Sequence, residues 1–256
     1  MDNPQSFADA DFVVRYDQMI LNPSMRALYQ NTDFYNVGDW SQGARTLPEA
    51  CQTLVNRHLH RLEADCSQQS PLRILDVGCG LGAGTELIAQ HYPNAEVLGI
   101  NISPTQVEYA RQHHPMARYR VMDATQLQLP DAYYDQIISI EAAFHFASRS
   151  KFLGSAYRVL KPEGQLILTD ILFHNTEWIG AWSVPASETV PDLRTYRQMC
   201  CDCGFWVESI EDITEATWLG FCQHLFRRDR MRQFAVNLEK SVFAYVMVCL
   251  QKKAVG

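Results

Sequence analysis

From about residue 70 onward, short apolar runs alternate with stretches in which apolar residues recur every three or four positions. That rhythm predicts strands alternating with helices. Leu72 to Val77 reads as a first strand, and Thr85 to His91 carries the helix after it. Ala95 to Ile100 is a second strand, closed by Asn101-Ile102-Ser103-Pro104. Ser103 is a good N-cap and Pro104 suits the first helical position, so a helix is predicted from Pro104 to about His114. Arg118 to Val121 is a short third strand. Tyr134 to Ile140 is a fourth, almost continuously apolar as buried parallel strands are. Phe152 to Leu160 reads as helix, and Lys161-Pro162-Glu163-Gly164 turns the chain into a fifth strand, Gln165 to Asp170.

Then the rhythm breaks. Residues 171–191, with Trp178, Trp182 and two prolines, show no period and read as an irregular insertion. A helix from Pro191 to Cys203 should stop at Gly204, followed by strand Phe205 to Ile210, a helix over about Glu215 to Leu238, and a last strand, Ser241 to Gln251. Ahead of the sheet, Ala50, Leu54, Val55, Leu59 and Leu62 give Pro48 to Leu62 helical spacing. Strand–helix alternation implies parallel strands joined by crossover helices. The expected class is α/β: a doubly wound, mostly parallel sheet of seven strands, the last two forming an antiparallel edge interrupted by a helix. Residues 1–70 would form an N-terminal helical lid region and 71–256 the core, with cap insertions at about 171–191 and 215–238.

The bulk properties narrow this only a little. A chain of 256 residues suits one domain with an elaboration. With 22 basic against 29 acidic residues the net charge is −7, so no nucleic-acid surface is expected. The basic run Arg227-Arg228-Asp229-Arg230-Met231-Arg232 reads as a solvated helix face, with a clamp for an acidic substrate as the alternative. The polar start, Met1-Asp2-Asn3-Pro4, shows no signal peptide, and no apolar run approaches a membrane span. A cytoplasmic location with mostly reduced cysteines is therefore expected. Cys200-Cys201-x-Cys203 lacks a second ligand pair, so no metal site is expected. The sequence leaves the oligomeric state open.

The chemistry concentrates in Ile74-Leu75-Asp76-Val77-Gly78-Cys79-Gly80-Leu81-Gly82-Ala83-Gly84. An apolar strand meets an acid and then alternating glycines before a helix, which makes a ligand cradle at the carboxyl end of a strand. Two cofactors compete for it. Gly78-x-Gly80-x-x-Ala83 satisfies a loose dinucleotide fingerprint, as an NAD(P)-dependent oxidoreductase would need. Asp76 opposes that reading, because its carboxylate would repel a pyrophosphate, whereas it would attract a sulfonium or ammonium.

The pattern Asp-x-Gly-x-Gly-x-Gly resembles the first motif of the class I S-adenosylmethionine (SAM)-dependent methyltransferases, and the resemblance extends in order over roughly residues 34–251. It implies the Rossmann-like methyltransferase fold and SAM as cofactor. Asp76, Gly78, Cys79 and Gly80 would then hold the methionine part. Asn101, beside Ile102, stands where the family commonly has an acid gripping the ribose; an amide accepts there with fewer charge-assisted bonds. Met122-Asp123-Ala124 resembles the adenine-reading motif, so Asp123 and Ala124 would hold the base, and Glu141 would line the methionine end. Phe34-Tyr35-Asn36-Val37-Gly38-Asp39-Trp40 looks like the segment preceding the core in natural-product, sugar and sterol methyltransferases, with Tyr35 and Trp40 closing over the cofactor.

Several small-molecule O-methyltransferases of similar sequence carry a histidine where Glu141-Ala142-Ala143-Phe144-His145-Phe146 has His145, a side chain suited to proton abstraction near neutrality. Asp170 and His174, at the end of the fifth strand, are expected to face the same crevice and orient or replace it. Trp178, Trp182, Trp218, Phe221 and Phe226 would wall a largely apolar acceptor site. The resulting expectation is methyl transfer from SAM to a small organic acceptor, at a hydroxyl oxygen of a secondary metabolite. N- or C-methylation, the oxidoreductase, and a binding protein on a decayed methyltransferase fold stand as alternatives.

Overall fold

A parallel strand pair needs a crossover, and the chain supplies one after each early strand. The structure is a computed structural model that describes residues 10–62, 71–177, 179, 184–185 and 189–253. Three helices come first: α1 (Ala10–Ile20), α2 (Pro23–Leu28) and α3 (Leu47–Leu59). Thr46 and Glu49 close a reciprocal capping box on α3. Then follow β1 (Arg73–Val77), α4 (Ala83–His91), β2 (Glu96–Asn101), α5 (Pro104–His113), β3 (Arg118–Val121), β4 (Tyr134–Ile140), α6 (Arg149–Val159) and β5 (Leu160–Phe173). As the sequence predicts, the Ser103 side chain caps α5 by accepting from Gln106 N.

The later chain contributes α7 (Leu193–Asp202), β6 (Trp206–Asp212), α8 (Gly220–Phe226), α9 (Arg232–Glu239) and β7 (Val242–Gln251). The seven strands lie in the order β3-β2-β1-β4-β5-β7-β6. Strands β1 to β5 are mutually parallel, and β7 runs antiparallel between β5 and β6. The expected α/β architecture is therefore the observed one. Apolar clusters cover both faces of the sheet, one built on α3 and α8 and the other on α6 and α7. Winding reverses between β1 and β4, so a crevice opens at their carboxyl ends.

Two elements differ from expectation. Strand β5 runs past Asp170 to Phe173, because β7 extends the antiparallel ladder from Gln165↔Gln251 to Phe173↔Val242. The helix expected over residues 215–238 is broken: a π-helical turn at Glu215–Leu219, then α8, a single 3-10 turn at Asp229–Met231, and α9. Arg228 is extended (φ −100, ψ 113), within a charged run offering no apolar anchor between Arg227 and Arg230. Trp178 and Trp182 lie outside the described residues. Among those described, no helix is long and apolar enough to cross a membrane.

Candidate active site

Strand β1 delivers Asp76 and then ends in the glycine loop. Gly78 has φ +84, and a Cβ there would lie 2.3 Å from the Ala142 Cβ, so the loop and the β4 exit approach closer than any side chain allows. Gly78 N and Cys79 N donate to Ile100 O at 2.9 and 3.0 Å, tying the loop to β2. Gly82 is the N-cap of α4 and provides no side-chain hydrogen bond there. Asp76 is buried, accepts from Thr85 Oγ1 at 2.6 Å, and is pushed by burial up to about 6.

At the end of β2, Asn101 Nδ2 donates to Gln106 Oε1 at 2.8 Å. Gln106 Nε2 donates onward to Asp17 Oδ1 at 2.7 Å, and Ser103 Oγ donates to Asp17 Oδ2 at 2.8 Å. Helix α1 is thereby pinned to the β2–α5 turn. Asp123 Oδ1 accepts from Thr125 N and Oγ1, both at 2.8 Å. Its other oxygen has no protein partner among the described residues, and Asp123 lines the same crevice.

Beyond β4 the backbone takes an unusual path, with Glu141 at φ +51. Its carboxyl accepts from Val37 N at 2.9 and 3.0 Å and from the Tyr245 hydroxyl at 2.5 Å. Burial pushes Glu141 up to about 7. A positive φ at a non-glycine residue is costly and persists only where surroundings enforce it; here Val37 and Tyr245 hold the side chain. His145, in the following turn, packs its ring 4.0 Å from Phe144, 5.0 Å from Tyr16 and 5.6 Å from Phe12, centroid to centroid.

These residues enclose a cavity of about 1150 Å³, counted out to its open mouth. Of the residues expected to bind cofactor, Tyr35, Asp76, Gly78, Cys79, Gly80, Asn101, Ile102, Asp123, Ala124 and Glu141 line it, together with His145. Phe12, Tyr16 and Ile20 of α1 close it from the side. A second cavity of about 870 Å³ adjoins it, walled by Met19, Leu28, Phe144, Phe221, Leu225 and Phe234 among others. Tyr16, Tyr35, Glu141 and His145 line both.

Three expected site residues stand elsewhere. Trp40 lines neither cavity: its Nε1 donates to Val37 O at 3.0 Å, its ring lies 4.8 Å from that of His224, and Gly220 packs on its face. It braces the 37–40 segment from behind. Asp170 is fully buried across the sheet, accepting from Arg149 Nε at 2.7 Å, Arg149 Nη2 at 3.2 Å and the Tyr196 hydroxyl at 3.0 Å. Successive strand residues point to opposite faces. Thr169 reaches Glu141 N at 3.2 Å, so Asp170 turns away from the crevice. His174 lies past the end of β5, with Nε2 2.6 Å from Lys240 O, and lines neither cavity.

Of the expected aromatic wall, only Phe221 reaches the second cavity among the described residues. Trp218 is core, its Nε1 donating to Leu238 O at 3.0 Å, and Phe226 is exposed beneath Arg232. Sequence reasoning missed Phe12, Tyr16, Asp17 and Gln106. The apolar repeat Phe12, Tyr16, Ile20 was a readable sign of the helix, but nothing in the sequence pairs Asp17 with a turn more than eighty residues away.

Residues 75–168, from the first strand through the fifth, match the family model of the methyltransferase domain. The chain carries a methyltransferase domain and is similar to SAM-dependent methyltransferases over most of its length. It is 26% identical over 238 residues to erythromycin 3''-O-methyltransferase of Saccharopolyspora erythraea, covering 82% of this chain and 76% of that protein. It is 35% identical over 158 residues to 24-methylenesterol C-methyltransferase 2 of Oryza sativa subsp. japonica, where the match spans 58% of this methyltransferase but only 41% of its relative. The fold is that of geranyl diphosphate C-methyltransferase from Streptomyces coelicolor A3(2), solved with Mg2+, geranyl diphosphate and S-adenosyl-L-homocysteine. That likeness has a TM-score of 0.74 at 15% identity, over 98% of this chain and all of the other. These matches favour a methyltransferase over an oxidoreductase. Tyr157 and Lys161 do have the Tyr-x-x-x-Lys spacing of some such enzymes, but Tyr157 packs on Phe205, Lys161 pairs with Asp135 at 2.6 Å, and neither lines the cofactor cavity.

Proposed function

We propose that this methyltransferase acts on a small, largely apolar organic acceptor at a hydroxyl oxygen, with His145 taking the hydroxyl proton. The observation that carries this is the shared wall: His145 lies between the cofactor cavity and the apolar second cavity, with Tyr16, Tyr35 and Glu141 around it. The first cavity fits SAM. Its glycine cradle admits close backbone approach, and its two buried carboxyls, Asp76 and Glu141, suit a ligand carrying an ammonium and a sulfonium. When bound, SAM supplies an electrophilic methyl group on sulfur.

In this reading Asp76 and the Gly78–Gly80 backbone hold the methionine part. Asn101 and Ile102 meet the ribose, and the free oxygen of Asp123, beside Ala124, accepts from the adenine amino group. Asp170, His174 and Trp40 take no part. Aligning acceptor and methyl and excluding water can supply about 7–11 kcal/mol of the barrier. A neutral hydroxyl is a poor nucleophile, and a positioned base adds roughly 10²–10⁴-fold. The rings of Phe144, Tyr16 and Phe12 hold the His145 imidazole in place for that transfer. Methylation at carbon is the second reading, favoured by Glu141, a carboxyl raised to about 7 at the same junction.

The test is release of S-adenosylhomocysteine over a panel of apolar alcohols and phenols, with the methylated product analysed. His145→Ala should lower turnover roughly 10²–10⁴-fold while leaving S-adenosylhomocysteine affinity within about twofold. Unchanged turnover at saturating acceptor removes the base assignment, and a carbon-methylated product selects the second reading.

A further inference from the structure

The second cavity does not end at its apolar wall. It shares Met19, Met25, Leu28 and Met231 with a third cavity, of about 1340 Å³ counted to its open mouth, whose outer wall carries Arg228, Arg230 and, between them, Asp229. Three spaces therefore run in series: the cofactor cavity, an apolar middle, and a cationic mouth. The run of arginines singled out in the sequence is the segment that forms this mouth, where the chain breaks between α8 and α9.

Neither guanidinium is held in an ion pair among the described residues. Asp229, between them, turns to Arg232 at 3.0 Å, and Arg228 Nη1 donates to the His224 carbonyl at 3.2 Å. Among the described residues neither Arg228 nor Arg230 has a carboxylate partner, in a chain with seven more acidic than basic residues. Arg228 is half-buried and Arg230 exposed. A planar guanidinium matches a phosphate or carboxylate with two parallel hydrogen bonds. The methionines between mouth and junction are unbranched and polarizable, a lining that adapts to an extended apolar chain or ring system.

We infer that the acceptor is amphiphilic: its apolar body fills the middle cavity, its reacting end reaches His145 and Glu141, and an anionic group at its far end is held by Arg228 and Arg230. This rests on the methyl-transfer reading of the site. It assigns the acceptor a charge that neither the fold nor the cofactor loop specifies. A neutral molecule of the same shape would leave the mouth unmatched, and a cationic one would be repelled.

The experiment is titration of the purified chain, loaded with S-adenosylhomocysteine, with decyl phosphate and with 1-decanol, both below their aggregation thresholds. Decyl phosphate should bind at least about tenfold tighter, as two charge-assisted contacts imply, and the gap should narrow as salt rises. In Arg228→Gln/Arg230→Gln, which removes both charges, the two probes should bind alike. Met25→Trp, narrowing the shared passage, should weaken both probes and leave S-adenosylhomocysteine binding intact. Equal binding of the probes by the unaltered chain, binding of neither, or a phosphate preference that survives the double substitution overturns the inference. Each of those leaves the methyltransferase reading standing if S-adenosylhomocysteine binds. Failure of S-adenosylhomocysteine itself to bind overturns both.

Discussion

Asp170→Ala separates a structural carboxylate from a catalytic one. In the folded chain Asp170 is 0% exposed and Arg149 2% exposed, and the pair is joined by two hydrogen bonds, with the Tyr196 hydroxyl and Ile171 N also donating to the carboxylate. Removing the carboxylate takes from Arg149 the two hydrogen bonds and the charge of Asp170, in the layer between β5, α6 and α7. Orphaning one member of a buried pair costs about 3–5 kcal/mol, and for a domain of this size each kcal/mol lowers Tm by roughly 2–4 °C. The expected loss is therefore about 6–20 °C in thermal unfolding. Affinity for S-adenosylhomocysteine, measured by titration below the shifted Tm, should stay within about twofold, since a surface not in contact with the ligand is unchanged. The double variant Arg149→Met/Asp170→Leu, which removes both charges and refills the volume, should recover most of the stability, because apolar replacement of a buried pair is often neutral or better. The reasoning is refuted if Asp170→Ala unfolds at the original temperature, or if turnover collapses in a stable variant; the second result would return Asp170 to the reaction.

Two further expectations concern the cofactor cavity. Burial raises Asp76 to about 6 and Glu141 to about 7 from ordinary values of 3.8 and 4.5, so their protonated forms favour the fold. That contribution is complete below the ordinary values and is lost as pH rises through about 6 and about 7. A cationic cofactor favours the ionised carboxyls, so SAM should bind more tightly at pH 8 than at pH 5.5 and should expel protons near pH 6; calorimetry in buffers of different ionisation enthalpy measures this, and zero proton release would sink it. Gly78→Ala should cost about 1–2 kcal/mol for the left-handed backbone and about 1–3 kcal/mol more for the Cβ pressed on Ala142. Adding Ala142→Gly should relieve only the second part, so a double-mutant cycle in denaturant showing no coupling would contradict the close approach.

The parts of this molecule readable from sequence are those in which one local rule decides. Strands β3 and β4 occupy the predicted spans; β4 is legible as a nearly continuous apolar run behind Pro130-Asp131, and β3 as a short segment closed by Met122-Asp123. Ser103-Pro104 starts α5 through a cap that needs only its own neighbours, and the glycine loop is legible because its conformations demand glycine. Asp170 fails for a different reason. Its position after a fifth strand suggested a crevice residue, but the strand continues to Phe173 under the direction of β7, some eighty residues later, and strict alternation then sends Asp170 to the opposite face. Trp40 fails similarly. It belongs to a segment that does reach the site, through Val37 and Tyr35, but its ring is turned to Gly220 and His224, contacts set by a helix far along the chain.

That division of labour runs through the site itself. The cofactor cavity is made chiefly from the carboxyl ends of β1, β2 and β4, whose geometry follows from strand pairing. The second cavity, the proposed acceptor space, is made from Met19, Met25, Leu28 and Tyr35 on one side and Phe221, Leu225, Met231 and Phe234 on the other. Neither group belongs to the sheet. The N-terminal group is held by a few polar anchors: Asp17 to Ser103 and Gln106, Asp33 to His114 and Tyr109, and Val37 to Glu141. Substitutions between those anchors can reshape the acceptor space without moving Asp76, Gly78 or Asp123. A chain 15% identical to this one keeps the fold at a TM-score of 0.74. On the proposed reading, acceptor choice is set by residues 12–35 and 219–234, where Arg228 and Arg230 stand, and not by the glycine loop that identifies the fold.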